Sequence, residues 1–186
     1  FFGNKPYEHH HTYNDPFIFS VFEHFIRYDD LHPFTSYDAE RALDRLWSAE
    51  GNRSDAYSDL NMLMAARRPH ESLDDVVDSF VQLLYAEGGS GNTSDAQSDF
   101  RTIDRSLKSG ESRQRATDAF ITLLNAEGGS YATSDAQGDY DTVNNRLNSW
   151  DDRSQEAYRF ADILRNEGGS SYTSDARRTY NRIKGW

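Results

Sequence analysis

The stretch that decides the fold is Glu-Gly-Gly-Ser-Gly-Asn-Thr-Ser-Asp-Ala, residues 87–96. It returns as Glu-Gly-Gly-Ser-Tyr-Ala-Thr-Ser-Asp-Ala at 127–136 and as Glu-Gly-Gly-Ser-Ser-Tyr-Thr-Ser-Asp-Ala at 167–176. A shorter form, Glu-Gly-Asn-Arg-Ser-Asp-Ala, occupies residues 50–56, so that successive Ser-Asp-Ala triplets all stand 40 residues apart. A fixed period of this length is the signature of a repeat architecture.

Each repeat is predicted to contain two amphipathic helices, one before and one after the motif. The segment before it carries apolar residues at spacings of three and four, the pattern of one buried helix face. In the second repeat these residues are Val76, Val77, Phe80, Leu83 and Leu84. The segment after the motif carries a narrower stripe, formed in the same repeat by Ala96, Phe100, Ile103 and Leu107. We expect the first helices at about 37–49, 73–86, 113–126 and 153–166, and the second helices at about 55–66, 95–108, 135–149 and 175–184.

The motif itself contains signals for ending one helix and starting the next. A Gly-Gly pair suits the left-handed backbone of a helix C-terminus. Ser94 followed by Gln97, and Ser134 followed by Gln137, match the capping box that opens a helix.

The predicted fold is therefore all-α. We expect residues 35–186 to form a short α-solenoid of four αα-hairpin repeats, with Phe80, Phe120 and Phe160 on one buried ridge. Residues 15–34 are predicted to form an aromatic N-terminal helix and a linker, since Asp15-Pro16 is a typical helix start. Residues 1–14 lack periodicity and are predicted to be an extended arm.

Composition excludes several classes of function. The chain has 186 residues, no cysteine and a net charge of −11. The charge disfavours a nucleic-acid partner, and the lack of cysteine excludes disulfides and thiolate chemistry. No apolar run approaches the roughly 18 residues of a membrane span, so we expect no membrane insertion.

Catalysis is not expected, because no known catalytic motif is present. Residues that recur in every repeat would also build several similar sites, whereas catalysis needs one convergent set of unlike groups. We predict a protein that is not an enzyme and that has no cofactor.

Capping does not explain the glutamate before each Gly-Gly pair. An acidic residue in the last turn of a helix opposes the helix macrodipole and therefore needs a compensating contact. We expect each one to accept hydrogen bonds from backbone N–H groups at the start of a second helix, in its own or the next hairpin. The alternative is a calcium site, because carboxylates and hydroxyls are hard oxygen ligands. Its candidate ligands are Glu87, Asp95, Glu127 and Asp135.

The chain ends suggest self-association. Residues 1–50 hold four basic and nine acidic side chains, whereas residues 171–186 hold four basic and one acidic, so the ends are of opposite charge. The last hairpin keeps Tyr180 and Ile183 at the positions of internal apolar residues, which predicts an end without a polar cap. The predicted head-to-tail interface comprises Phe1, Phe2, Tyr7, Tyr13, Phe17, Phe22, Tyr180, Ile183 and Trp186.

Two hypotheses of function follow. The first is a structural protein that assembles end to end, as an extracellular filament or surface layer, with itself or another protein as partner. The alternative is a monomeric helical-repeat module that binds a peptide or a glycan. Asn52 and Asn92 match the N-glycosylation pattern, in keeping with an extracellular or cell-surface location.

Overall fold

The computed structural model describes residues 35–185, apart from the side chain of Ser36. This part of the chain is all-α, as predicted, and contains no strand. Its helices are α1 Ser36–Glu50, α2 Arg53–Ala66, α3 Leu73–Ala86, α4 Thr93–Ser106, α5 Arg113–Glu127, α6 Thr133–Asn144, α7 Arg153–Glu167 and α8 Thr173–Ile183. None of these helices is long and apolar enough to cross a membrane. The arm predicted at 1–14, the aromatic helix predicted within 15–34, and Trp186 lie outside the described residues.

The helices pair as hairpins that pack in chain order. Each odd-numbered helix contacts the even-numbered helix that follows it, and also the odd-numbered helix of the next hairpin. The odd-numbered helices therefore form one layer and the even-numbered helices a second. In each of the last three hairpins two buried rings meet across the layers, with centroids 6.0, 5.5 and 5.4 Å apart. These pairs are Phe80–Phe100, Phe120–Tyr140 and Phe160–Tyr180, so the predicted phenylalanine ridge is buried.

Glycine ends the odd-numbered helices as predicted. Gly128 and Gly168 cap α5 and α7 with φ angles of 113° and 117°, in the left-handed region that glycine adopts without strain. The glycine that follows each cap donates its N–H back to the helix, as in Gly129 to the Leu124 carbonyl at 2.8 Å. This is the Schellman pattern of a helix C-terminus.

The predicted capping boxes at Ser94 and Ser134 are wrong. Helices α4 and α6 begin two residues earlier than predicted, at Thr93 and Thr133, and neither has a side-chain cap. A tight turn leads into α4, and the Thr93 hydroxyl bonds back to the Ser90 carbonyl. Both serines are thus already inside the first helical turn.

Helix α2 ends at Ala66 as predicted, but the later even-numbered helices end earlier than predicted, most clearly α6, which stops at Asn144 rather than near 149. The chain then turns, and the Asn148 N–H donates to the Asp151 carboxylate at 2.8 Å. The equivalent turn after α4 joins the Lys108 N–H to Glu111 at 2.9 Å. This local side-chain acceptor competes with continuation of the helix.

Buried arginines tie consecutive hairpins together. Arg113, at the start of α5, is 2% exposed and bonds Glu71 at 3.0 and 3.1 Å and the Ala66 carbonyl at 3.0 Å. Its guanidinium also lies 4.8 Å from the centroid of the Phe100 ring. Arg153 repeats this arrangement with Glu111, the Ser106 carbonyl and the Tyr140 ring. Each arginine therefore contacts parts of the two hairpins before its own.

Truncation of Phe120 to Ala should reduce the free energy of unfolding by about 3 to 5 kcal/mol, because the ring is fully buried against Tyr140 and leaves a cavity. Urea denaturation followed by circular dichroism measures the change. Tyr131→Ala is the control, since that ring is fully exposed and its loss should change stability by less than about 0.5 kcal/mol. Equal effects of the two substitutions would contradict the buried ridge.

Candidate functional site

Two of the repeated glutamates, Glu87 and Glu127, are buried and accept hydrogen bonds from the next hairpin. Both carboxylate oxygens of Glu87 accept from the hydroxyl of Thr133, the first residue of α6, at 2.9 and 3.0 Å. Glu127 accepts in the same way from Thr173 at the start of α8, at 2.7 and 2.9 Å. The sequence left open whether the donor helix belongs to the same or the next hairpin: for Glu87 and Glu127 it is the start of the second helix of the next hairpin, whereas Glu167 accepts from Thr179, inside the second helix of its own hairpin. The donor is a threonine hydroxyl, however, and not the backbone N–H that the sequence suggested.

A second buried carboxyl group faces each of the first three glutamates. Asp59, Asp99 and Asp139 are at most 1% exposed and lie against Glu50, Glu87 and Glu127 respectively. We call these couples the three acid pairs. They were not foreseen from the sequence, although Asp recurs at this position every 40 residues.

The aspartates of the acid pairs also accept hydrogen bonds from the following hairpin. Gln97 donates to Asp59 at 2.5 Å, and Gln137 donates to Asp99 at 2.7 Å. The third pair has an ion pair instead, from Arg177 to Asp139 at 2.6 Å. The two glutamines assigned to capping boxes therefore bridge consecutive hairpins.

Burial shifts the protonation of these carboxyl groups. Desolvation, followed by the hydrogen bond to Glu87, raises the pKa of Asp99 to about 9. Desolvation and the contact with Glu127 raise the pKa of Asp139 to about 8, against the opposing effect of Arg177. In the first pair desolvation and Asp59 raise the pKa of Glu50 to about 8. At neutral pH the three pairs thus retain protons.

The calcium alternative finds little support in this arrangement. The oxygens of Glu87 and Glu127 already accept hydrogen bonds from threonine, while Asp95 is half-buried and Asp135 exposed in the first turns of α4 and α6. Across residues 35–185, no group of three or more His, Cys, Asp and Glu side chains is placed to hold a metal ion.

The outer face of the last hairpin is more polar than the sequence suggested, which corrects the prediction that it has no polar cap. Arg159 stands where the third hairpin has Ala119, and its side chain is 53% exposed while Ala119 is fully buried. Glu156 stands where the third hairpin has Ala116 and accepts a 2.8 Å bond from the Tyr180 hydroxyl. Bulky charged groups thus replace the small residues that let internal helices approach closely.

Lys184 completes this polar end. It follows α8, and its ammonium group bonds Asp151 at 2.7 Å and Glu156 at 3.3 Å. Asp151 corresponds to Glu111, which in the internal repeat receives Arg153 from the next hairpin. In the last hairpin, Lys184 of that same hairpin therefore bonds the acidic residue that an arginine of the following hairpin bonds in the internal repeat.

The predicted assembly residues are only partly described. Tyr180 is fully buried inside the last hairpin, which makes it unavailable as an interface residue. Ile183 is 58% exposed, although its internal counterparts Ile103 and Val143 are at most 1% exposed. The remaining members lie outside the described residues: Phe1, Phe2, Tyr7, Tyr13, Phe17, Phe22 and Trp186.

Exposed aromatic side chains lie along one edge of the array. This edge is formed by the C-terminal ends of the odd-numbered helices and the segments that join them to the even-numbered ones. It carries one exposed ring per hairpin, and we call these four residues the aromatic edge: Trp47 at 44%, Tyr85 at 62%, Tyr131 at 101% and Tyr172 at 50% exposure. No sequence period marks them, because they occupy different positions of the repeat.

The two candidate glycosylation sites differ in their surroundings. Asn52 is exposed and caps α2 by accepting from the Ser54 N–H at 2.9 Å. The amide nitrogen of Asn92 donates to the Glu87 carbonyl and is half-buried. Asn52 is therefore the more accessible of the two.

A cleft of about 580 Å³ separates the loops that precede α5 and α7. Its lining includes the hydroxyls of Ser109, Ser112, Ser149 and Ser154. The charged groups around it are used structurally, as in Arg153 with Glu111.

Known protein families, curated proteins and solved structures were all compared with this chain. No match was found in any of the three. Function is therefore inferred from the geometry of residues 35–185.

Addition of calcium should leave the melting temperature unchanged, because the glutamate oxygens are occupied by threonine hydroxyls. A thermal scan with and without calcium, with magnesium as the control, measures this. A calcium-specific rise that saturates would contradict the prediction, since a ligand that binds only the native state must stabilise it.

Proposed function

We propose that this chain is a short α-solenoid of four hairpins that acts as a non-enzymatic binding module, and that it holds an extended basic peptide of another protein along the aromatic edge. The observation that carries the proposal is the presence of one exposed ring at this edge in every hairpin. Helical repeat arrays bind their partners along extended surfaces of this kind.

The spacing of the hairpins suits an extended peptide. Packed helices lie about 8 to 10 Å apart, which sets the approximate distance from one hairpin to the next. An extended chain rises about 3.3 Å per residue, so roughly every third residue of the ligand faces a new ring.

Charge favours a basic ligand. The chain carries a net charge of −11, and each even-numbered helix has an aspartate in its first turn, on the same edge as the rings. These residues are Asp55, Asp95, Asp135 and Asp175. The edge already receives one guanidinium group from within the chain, since Arg53 lies 5.5 Å from the ring centroids of Trp47 and Tyr57. Cation–π contacts of this kind would recognise arginine side chains of a partner.

A peptide with arginine at every third position and Gly and Ser between should bind this protein, with affinity that falls as salt is raised. Tyr85→Ala and Tyr131→Ala should each weaken binding by about two- to fivefold, the value of one exposed cation–π contact. Fluorescence anisotropy of the labelled peptide measures the dissociation constant.

Tyr158→Ala is the matched control, because Tyr158 is 59% exposed on α7 but lies away from the aromatic edge. A peptide of the same length with glutamate in place of arginine controls for charge. Equal loss of affinity in Tyr158→Ala and Tyr85→Ala would refute the aromatic edge as the binding surface, and absence of binding would refute the basic-peptide ligand.

End-to-end assembly, as in an extracellular filament or surface layer, is the second candidate, and two exposed residues favour it. Ile183 is exposed at one end of the array. Trp47 is exposed at the other, where its counterparts Leu84, Leu124 and Leu164 are fully buried. The charged groups Glu156 and Arg159 count against it, since they stand where continued stacking uses small residues.

If assembly occurs through the ends, light scattering should show species larger than a monomer, and Ile183→Glu should release monomers with unchanged helical circular dichroism. Ile183→Leu is the control, because it keeps the apolar surface. Ile163→Glu is unsuitable, since Ile163 is partly buried and a charge there would unfold the protein. A monomer at high protein concentration rules out assembly and leaves the binding module.

A further inference from the structure

The three acid pairs lie where consecutive hairpins meet. Their six carboxyl groups are at most 4% exposed. One oxygen of each aspartate, and both oxygens of Glu50, have no N–H or O–H donor among the described protein groups. A buried carboxylate oxygen without a donor is costly, and a proton placed between the two carboxyl groups supplies one.

We propose that each acid pair shares one proton, and that these three protons couple the stacking of the hairpins to pH, so that the array is firmest in acid and loosens in alkaline solution. The proposal does not depend on what the aromatic edge binds.

Each pair is joined to the hairpin that follows it, which is why a change in its charge reaches the stacking. In the second pair Thr133 donates to Glu87 and Gln137 donates to Asp99, and both donors belong to the third hairpin. Loss of the shared proton would place two negative charges in contact inside this junction. Their repulsion would act on the contact that holds α3, α4 and α6 together.

The charges facing the pairs differ in sign. Asp55 and Arg101 act on the first pair in opposite directions, and Asp95 adds negative charge near the second. Arg177 faces the third pair and is itself 3.9 Å from Asp135. The positive charge of Arg177 opposes the rise in the pKa of Asp139 that desolvation causes.

The last hairpin supplies an internal comparison. Thr179 occupies the position of Asp99 and Asp139, and its hydroxyl donates to Glu167 at 2.8 Å. In the last described hairpin, a neutral hydroxyl donor thus replaces the protonated carboxyl group. The carboxylate keeps its hydrogen bond without a titrating partner.

The pH dependence follows from linkage. Carboxyl groups titrate near pH 4 when unfolded, whereas the pairs hold their protons to about pH 8 or 9 when folded. The folded chain therefore binds more protons in this window, and its stability falls as pH rises through it. Each pair should raise the unfolding equilibrium constant about tenfold per pH unit, and three pairs about a thousandfold.

Asp99→Asn and Asp139→Asn test the proposal. An asparagine amide donates to the glutamate without a titrating proton, while its oxygen still accepts from Gln137 or Arg177. Urea denaturation between pH 5 and 8 should show a pH slope reduced by about one proton for each substitution. Asp141→Asn, two residues along α6 and exposed, is the matched control and should leave the slope unchanged.

Infrared spectroscopy of the unmodified protein gives a direct reading. Absorption of protonated carboxyl groups should persist at pH 7 and diminish with Asp99→Asn and Asp139→Asn. If either variant fails to fold, this spectrum and the pH dependence of the unfolding free energy of the unmodified chain still test the proposal. No protonated carboxyl band at pH 7, or stability that is constant or rises from pH 5 to 8, would overturn the proposal.

Discussion

Docking of a charged side chain from one hairpin into the two before it is the interaction on which this structure depends. A single hairpin has too little apolar surface to bury by itself, and only stacking closes the thin core between the layers. Arg113 is nearly inaccessible to solvent and bonds Glu71 and the Ala66 carbonyl, while its guanidinium lies over the Phe100 ring. Removing either partner of such a buried pair would leave an uncompensated charge. The contact therefore determines the geometry of the stacked hairpins as well as the strength of their association.

The repeat period and the apolar faces were readable from the sequence because they depend on local spacing. Phe80, Phe120 and Phe160 recur every 40 residues and are buried as predicted. The cross-hairpin contacts were not readable, since they join residues about 40 positions apart whose meeting depends on stacking. Gln137 illustrates the difficulty: the pattern Ser-x-x-Gln has a local explanation as a capping box, but its amide reaches back to Asp99.

Some of the missed features did leave a signal in the sequence. Thr133 and Thr173 recur at one position of the repeat, and beside a local bond to the Ser130 or Ser170 carbonyl each donates to the glutamate of the preceding hairpin. Arg159 and Glu156 depart from the small residues of the preceding hairpin, and such departures confined to the last unit are typical of a cap. The aromatic edge left no such signal, because its four rings come from different positions of the repeat and are brought to one edge by the fold.

The choice of residue opposite each repeated glutamate follows from whether another hairpin comes next. In the three hairpins that have a described successor, the facing residue is an aspartate, which accepts a bond from Gln97, Gln137 or Arg177 of that successor. In the last hairpin it is Thr179, which needs no such donor. A carboxyl group gives a junction two acceptor oxygens but requires a proton to lie beside a second carboxyl group. In these three junctions the polar contact made by the aspartate is therefore tied to the proton that the acid pair is proposed to share, whereas the last hairpin has Thr179 and no such pair.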